Sequence, residues 1–133
     1  MRAAEREAWA TLRRAFYLDP ELVAHVENPS PWVLGVVERY GHRRSTRRWC
    51  PHLHERSPEV TWLLVARARL ECFRCHLATQ SHIAGTEEDR RCDVCRRLIE
   101  VGRVHVLRLV VGHTIVSVGH CGACTRVVRR PTP

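Results

Sequence analysis

Lysine is absent from this 133-residue chain: all 22 basic residues are arginine, and asparagine occurs once. The bias toward Arg, Ala, Val and His fits the codon usage of a GC-rich genome, but its physical consequence stands apart from its origin. Every permanent cation is a guanidinium, which forks onto phosphates and stacks on bases. Also missing is any apolar run near the ~20 residues that a membrane helix needs. The first residues alternate charge with apolar side chains, unlike a signal peptide, so a cytoplasmic protein with no membrane partner is expected. No glycine-rich phosphate loop and no Gly-x-Ser-x-Gly elbow occur, which removes the nucleotide-loop and serine-hydrolase classes.

Cysteine is what the chain has instead. Six of its seven cysteines stand in Cys-x-x-Cys pairs, a usage that suits metal binding in a reducing compartment better than a disulfide framework. The clearest constellation is Cys92-Asp93-Val94-Cys95, then 25 residues, then Cys121-Gly122-Ala123-Cys124. The residues between them read as two strands, 103–111 and 114–120, around Gly112-His113. Two such knuckles joined by a hairpin bring four thiolates to the corners of a tetrahedron, the arrangement a structural zinc takes.

A second constellation precedes it. Cys50-Pro51-His52-Leu53-His54 is followed by strand patterns at 60–65 and 69–71, and then by Cys72-Phe73-Arg74-Cys75. This spacing predicts a zinc site of three thiolates and one imidazole, from Cys50, His52, Cys72 and Cys75, with His54 as the alternative to His52. Four knuckles can pair sequentially or in an alternating, cross-braced way; sequential pairing closes shorter loops and is favoured. Residues 77–91 then read as a polar connector without periodicity. His76 and His120 flank cysteines and are the first substitutes should either donor set differ; the other histidines read as surface or packing residues.

The N-terminal 41 residues read as a three-helix unit. Ala8, Trp9, Leu12, Ala15 and Phe16 recur at helical spacing in 2–18, Asp19-Pro20-Glu21 opens a second helix reaching about Glu27, and Ser30-Pro31 opens a third ending near Gly41. The last two have the length of a helix-turn-helix. Residues 1–40 nevertheless carry five arginines against six acids, the wrong sign for a surface that approaches phosphates, so a helical cap on the zinc modules is the preferred reading.

The sign reverses in 42–49, where Arg43, Arg44, Arg47 and Arg48 precede Trp49 with no acid among them. Such a segment can grip a phosphate backbone and stack a base, or act as a solvated linker. Arg126, Arg129 and Arg130 form a basic tail within the second zinc module, 92–133.

Cys50-x-His52-Leu53 with Cys72-x-x-Cys75 resembles the opening of the zinc fingers of ubiquitin proteases. The later ligands of that family have no counterpart here, so ubiquitin binding is not implied. The Cys92–Cys124 segment resembles zinc-ribbon and treble-clef proteins, including small arginine-rich zinc proteins of actinobacteria and their phages. That class resemblance implies a place near transcription or replication machinery. Catalysis is not expected: His-Glu-x-x-His and the deaminase signature are absent, both sites have four protein ligands, and a His-Asn-His nuclease would need a longer final helix. The expectation is an α+β protein with a small N-terminal helical unit and two zinc-stabilised hairpin modules. It would hold two zinc ions and bind DNA or RNA, or serve as an adaptor for a protein partner. An iron–sulfur centre on the same cysteines is the remaining alternative.

Overall fold

The computed structural model describes residues 3, 6, 7, 10, 29–40, 50–53, 60–112 and 114–129. Within them the chain is α+β, with three α-helices and one four-stranded sheet. The helices are α1 (Pro31–Tyr40), α2 (Phe73–Ile83) and α3 (Thr125–Arg129); the strands are β1 (Thr61–Leu64), β2 (Arg69–Glu71), β3 (His105–Val111) and β4 (Thr114–His120). Ala3, Arg6, Glu7 and Ala10 are helical, but the rest of the first expected helix and all of the second lie outside the described residues. No helix among the described residues is long and apolar enough to cross a membrane.

Helix α1 begins where its sequence says it should. Ser30 accepts the Val33 amide on its hydroxyl at 3.2 Å, which satisfies one of the otherwise orphaned donors of the first turn, and its carbonyl accepts the first regular helical bond from the Leu34 amide at 3.0 Å. Val33 and Val36 then face inward and are buried.

Each hairpin is antiparallel, and the two are joined by a parallel pairing of β1 with β4, giving the order β2-β1-β4-β3. Thr61 and Thr114 open that parallel ladder with a side-chain hydrogen bond of 2.9 Å. The modules are therefore not beads on a string; their hairpins share one sheet.

Strand alternation gives the sheet two different faces. Leu63, Leu70, Leu107, Leu109, Val116 and Val118 form one apolar core with Val33 and Val36 of α1 and Val128 of α3. Trp62, Leu64, Glu71, Arg108, Ile115 and Ser117 occupy the other face, toward α2. There the Trp62 ring stacks on His76 at a centroid distance of 4.6 Å, and Thr79 donates to the buried Glu71 carboxylate at 2.8 Å.

The stretch 77–91, expected to be a plain connector, differs. Helix α2 runs through to Ile83, and a 3-10 turn spans Glu88–Arg90. Only His76 and Ile83 are buried on α2, and His76 is polar, so its inward face leaves no apolar period in the sequence. What fixes this helix is its position: it starts directly after Cys72.

Candidate metal centres

Cys50, His52, Cys72 and Cys75 form one group of donors, and Cys92, Cys95, Cys121 and Cys124 form another; within each group the donor atoms all lie within 4.8 Å of one another. The grouping is sequential, each set enclosing its own hairpin. In both, the first pair sits in a tight turn ahead of the hairpin and the second pair directly follows its last strand, at the start of a helical segment.

The distances fit one four-coordinate ion per group. Metal–sulfur bonds of ~2.3 Å and metal–nitrogen bonds of ~2.0 Å imply tetrahedral edges of roughly 3.8 Å between sulfurs and roughly 3.6 Å between sulfur and nitrogen. The Cys95 and Cys121 sulfurs are 3.8 Å apart, and His52 Nδ1 lies 3.2 Å from the Cys75 sulfur and 3.7 Å from that of Cys72. His52 therefore supplies the imidazole of the first donor group; His54 lies outside the described residues.

Backbone donors prepare the first thiol of each group. The Cys72 amide donates to the Cys50 sulfur at 3.3 Å, and the Cys121 amide to the Cys92 sulfur at 3.4 Å. Burial opposes ionisation of Cys50, but amides at Cys72 and His52 outweigh it and bring the thiol down to about 7. Cys92 likewise falls to about 6 against its burial, through amides at Cys95, Cys121 and Val94. The last thiols go the other way: burial and the neighbouring thiols push Cys75 up to about 11 and Cys124 up to about 12.

Three supporting side chains could not be read from spacing. Asp93, inside the second knuckle, accepts the Gly119 amide at 2.8 Å and returns its own amide to the Gly119 carbonyl at 2.8 Å, pinning the knuckle to β4. Burial raises the Asp93 carboxyl to about 7 against that hydrogen bond. His120 is buried, donates from Nδ1 to the Cys121 carbonyl at 2.9 Å and accepts Arg129 Nε on Nε2 at 3.4 Å, so it ties the second thiol pair to α3. His76 is buried against Trp62 and belongs to neither donor group. Burial, reinforced by the charge of Arg108, lowers its pKa to about 4, so its ring is neutral.

No protein-family model, curated protein or solved structure matches this chain. Its chemistry is read from its own geometry.

Of the residues expected to contact nucleic acid, Arg43, Arg44, Arg47, Arg48, Trp49 and Arg130 lie outside the described residues. Arg126 is exposed on α3, while Arg129 is half-buried against His120. The structure also exposes Arg96 and Arg97 beside the second knuckle, a pair that the linear reading passed over because they are adjacent to ligands rather than in a run.

Proposed function

We propose that this is a non-enzymatic protein in which two structural zinc ions each stabilise a knuckle–hairpin–helix unit of the treble-clef kind, and that it binds nucleic acid through arginines around the second unit. The observation that carries the reading is the closure of both donor groups. Four protein donors fill a tetrahedral shell, which leaves no coordination position for water or substrate; a catalytic zinc keeps one open. Tetrahedra of four thiolates, or of three thiolates and one imidazole, suit zinc or iron among biological metals, and elemental analysis with a visible spectrum separates the two. Two zinc ions per chain and a colourless protein are expected; a coloured, iron-loaded protein overturns the assignment.

Charge distribution supports the nucleic-acid reading. Residues 92–129 hold six arginines and two acids, and Arg96, Arg97 and Arg126 are exposed. By comparison, residues 60–91 hold five arginines and four acids. Binding of single- and double-stranded 20-mers, followed by fluorescence anisotropy across a salt series, should show a steep log–log dependence. Converting Arg96, Arg97 and Arg126 together to Ala should flatten the slope by roughly two to three, at about 0.7–0.9 for each phosphate no longer neutralised. An unchanged slope removes these arginines from the interface.

One observation favours a second reading, an adaptor for a protein partner. Phe73 and Leu77 lie one turn apart on α2 and are 44 % and 46 % exposed. Salt-insensitive capture of a single protein, lost in Leu77→Asp, would select that reading.

A further inference from the structure

Of the seven cysteines, Cys95 is the exposed one; Cys50, Cys92 and Cys124 are buried, and Cys72, Cys75 and Cys121 are half-buried. The Cys95 sulfur lies 3.8 Å from that of Cys121. A disulfide spans about 2.05 Å, so a closing movement of about 1.8 Å would join the two. The pair reaches from the turn ahead of β3 to the end of β4, 26 positions along the chain, and so closes the same hairpin that the second donor group encloses.

Its surroundings favour Cys95 as the point where an oxidant attacks. Accessible thiolates beside positive charge oxidise first. Arg96 and Arg97 follow Cys95 directly and are exposed, while the acids on either side are engaged, Asp93 with the Gly119 amide at 2.8 Å and Glu100 with Arg103 at 3.3 Å. The Cys92 sulfur is shielded by burial and takes the Cys121 amide at 3.4 Å, with the amides of Cys95 and Val94 also stabilising it, so its electron density is already engaged. The first donor group differs. None of its three sulfurs is exposed, and the His52 imidazole, 3.2 Å from the Cys75 sulfur and 3.7 Å from that of Cys72, has no thiol to oxidise.

We propose that Cys95 and Cys121 form a peroxide-sensitive thiol pair whose oxidation empties the second metal centre and leaves its hairpin bridged. The proposal rests on the reading of that donor group as a metal site. The Cys95 thiolate attacks one oxygen of hydrogen peroxide; the O–O bond breaks, hydroxide leaves and the sulfur becomes a sulfenic acid. The Cys121 thiolate then attacks that sulfur, the S–O bond breaks and a second hydroxide leaves. Both hydroxides take up protons as water, and two electrons have passed from sulfur to peroxide. Two thiolates, Cys92 and Cys124, remain, too few to hold a four-coordinate ion. A covalent staple takes the place of the metal one.

The test uses the full chain with its zinc, treated with hydrogen peroxide while a pyridylazoresorcinol reporter follows release. One equivalent should appear at least about fivefold faster than the other. Peptide mapping at that point should show a Cys95–Cys121 bridge with the thiols of the first group intact, and a thiol reductant with added zinc should reverse the change. Amide-exchange protection at His105–Val111 and Thr114–His120 should exceed that of reduced, chelator-stripped protein. Cys95→His, which gives the second centre the three thiolates and one imidazole of the first, should slow its release about fivefold. Should that variant fail to load zinc, mapping of the unaltered chain decides. Simultaneous release of both ions, release from the first centre ahead of the second, a Cys92–Cys95 bridge, irreversible oxidation, hairpin protection no greater than in stripped protein, or an unchanged rate in Cys95→His would each overturn the proposal. Those results leave the metal reading standing, whereas a second ion missing before peroxide is added overturns that reading and this proposal with it.

Discussion

The Cys121 amide points at the Cys92 sulfur from 3.4 Å, so the end of β4 supplies a hydrogen bond to the first thiol of its own metal group. The same relation recurs in the other unit, where the Cys72 amide, at the end of β2, lies 3.3 Å from the Cys50 sulfur. Closing each hairpin thus places an N–H donor on a thiolate and completes a donor set in one step. Metal binding and hairpin formation are coupled events in such a unit, since neither half of the donor set is positioned without the other.

Cys92→Ser or Cys121→Ser should therefore lose one of two metal ions and the ordered structure of the C-terminal third. Units of this size cannot bury enough apolar surface without a staple. Because β4 also pairs with β1, amide-exchange protection should fall at Thr61–Leu64 as well. A variant that keeps both ions and an unchanged melting transition would overturn the four-thiol centre.

Metal binding should release protons, and affinity should fall with pH. Without an ion, the thiols of Cys75 and Cys124, near 11 and 12, are protonated at pH 7, whereas the bound forms are thiolates. At least these two protons leave per chain on loading both centres, so acidification favours the metal-free protein. Calorimetric titration in two buffers of different ionisation enthalpy measures the number directly; a value near zero contradicts the donor assignment.

Asp93→Ala should destabilise the fold by about 1–3 kcal/mol without changing metal stoichiometry, because it orphans the Gly119 amide beneath the second knuckle. Asp93→Asn should cost less, since its amide oxygen can still accept that hydrogen bond. Thermal melts of the two variants, with zinc content measured in parallel, decide the matter. Equal losses would show that the charge, not the hydrogen bond, is what the position requires.

His76 offers a separate check on the first donor group. Its ring is buried and neutral, stacked on Trp62, and neither nitrogen has a hydrogen-bond partner among the described residues. His76→Phe should be close to neutral in stability, whereas His76→Ala leaves a cavity and should cost about 2–4 kcal/mol. Both should keep two ions. Loss of one ion in His76→Phe would make His76 a ligand in place of His52.

Much of the site was legible in the linear chain because metal-ligand chemistry is local. A Cys-x-x-Cys turn needs only a few residues to aim two sulfurs at one point, and the 25-residue spacing in the second unit leaves room for one hairpin. Strand alternation then marked both hairpins within two residues, and Ser30-Pro31 marked the start of α1. Helix α2 was not legible. Its inward face carries His76, which stacks on Trp62, and Thr79, which donates to Glu71, so no apolar repeat announces it.

The sequence by itself determined the two donor sets, their hairpins and the sign of the surface charge, each a matter of residues close together along the chain. Tertiary structure alone decided that the hairpins meet through a parallel β1–β4 ladder, because pairing between strands about 50 residues apart depends on matching backbone edges and buried faces. That ladder is what lays α2 over the second unit's sheet. It also sets Arg108 and Ser117 side by side on the sheet face toward α2, a juxtaposition that only strand pairing creates.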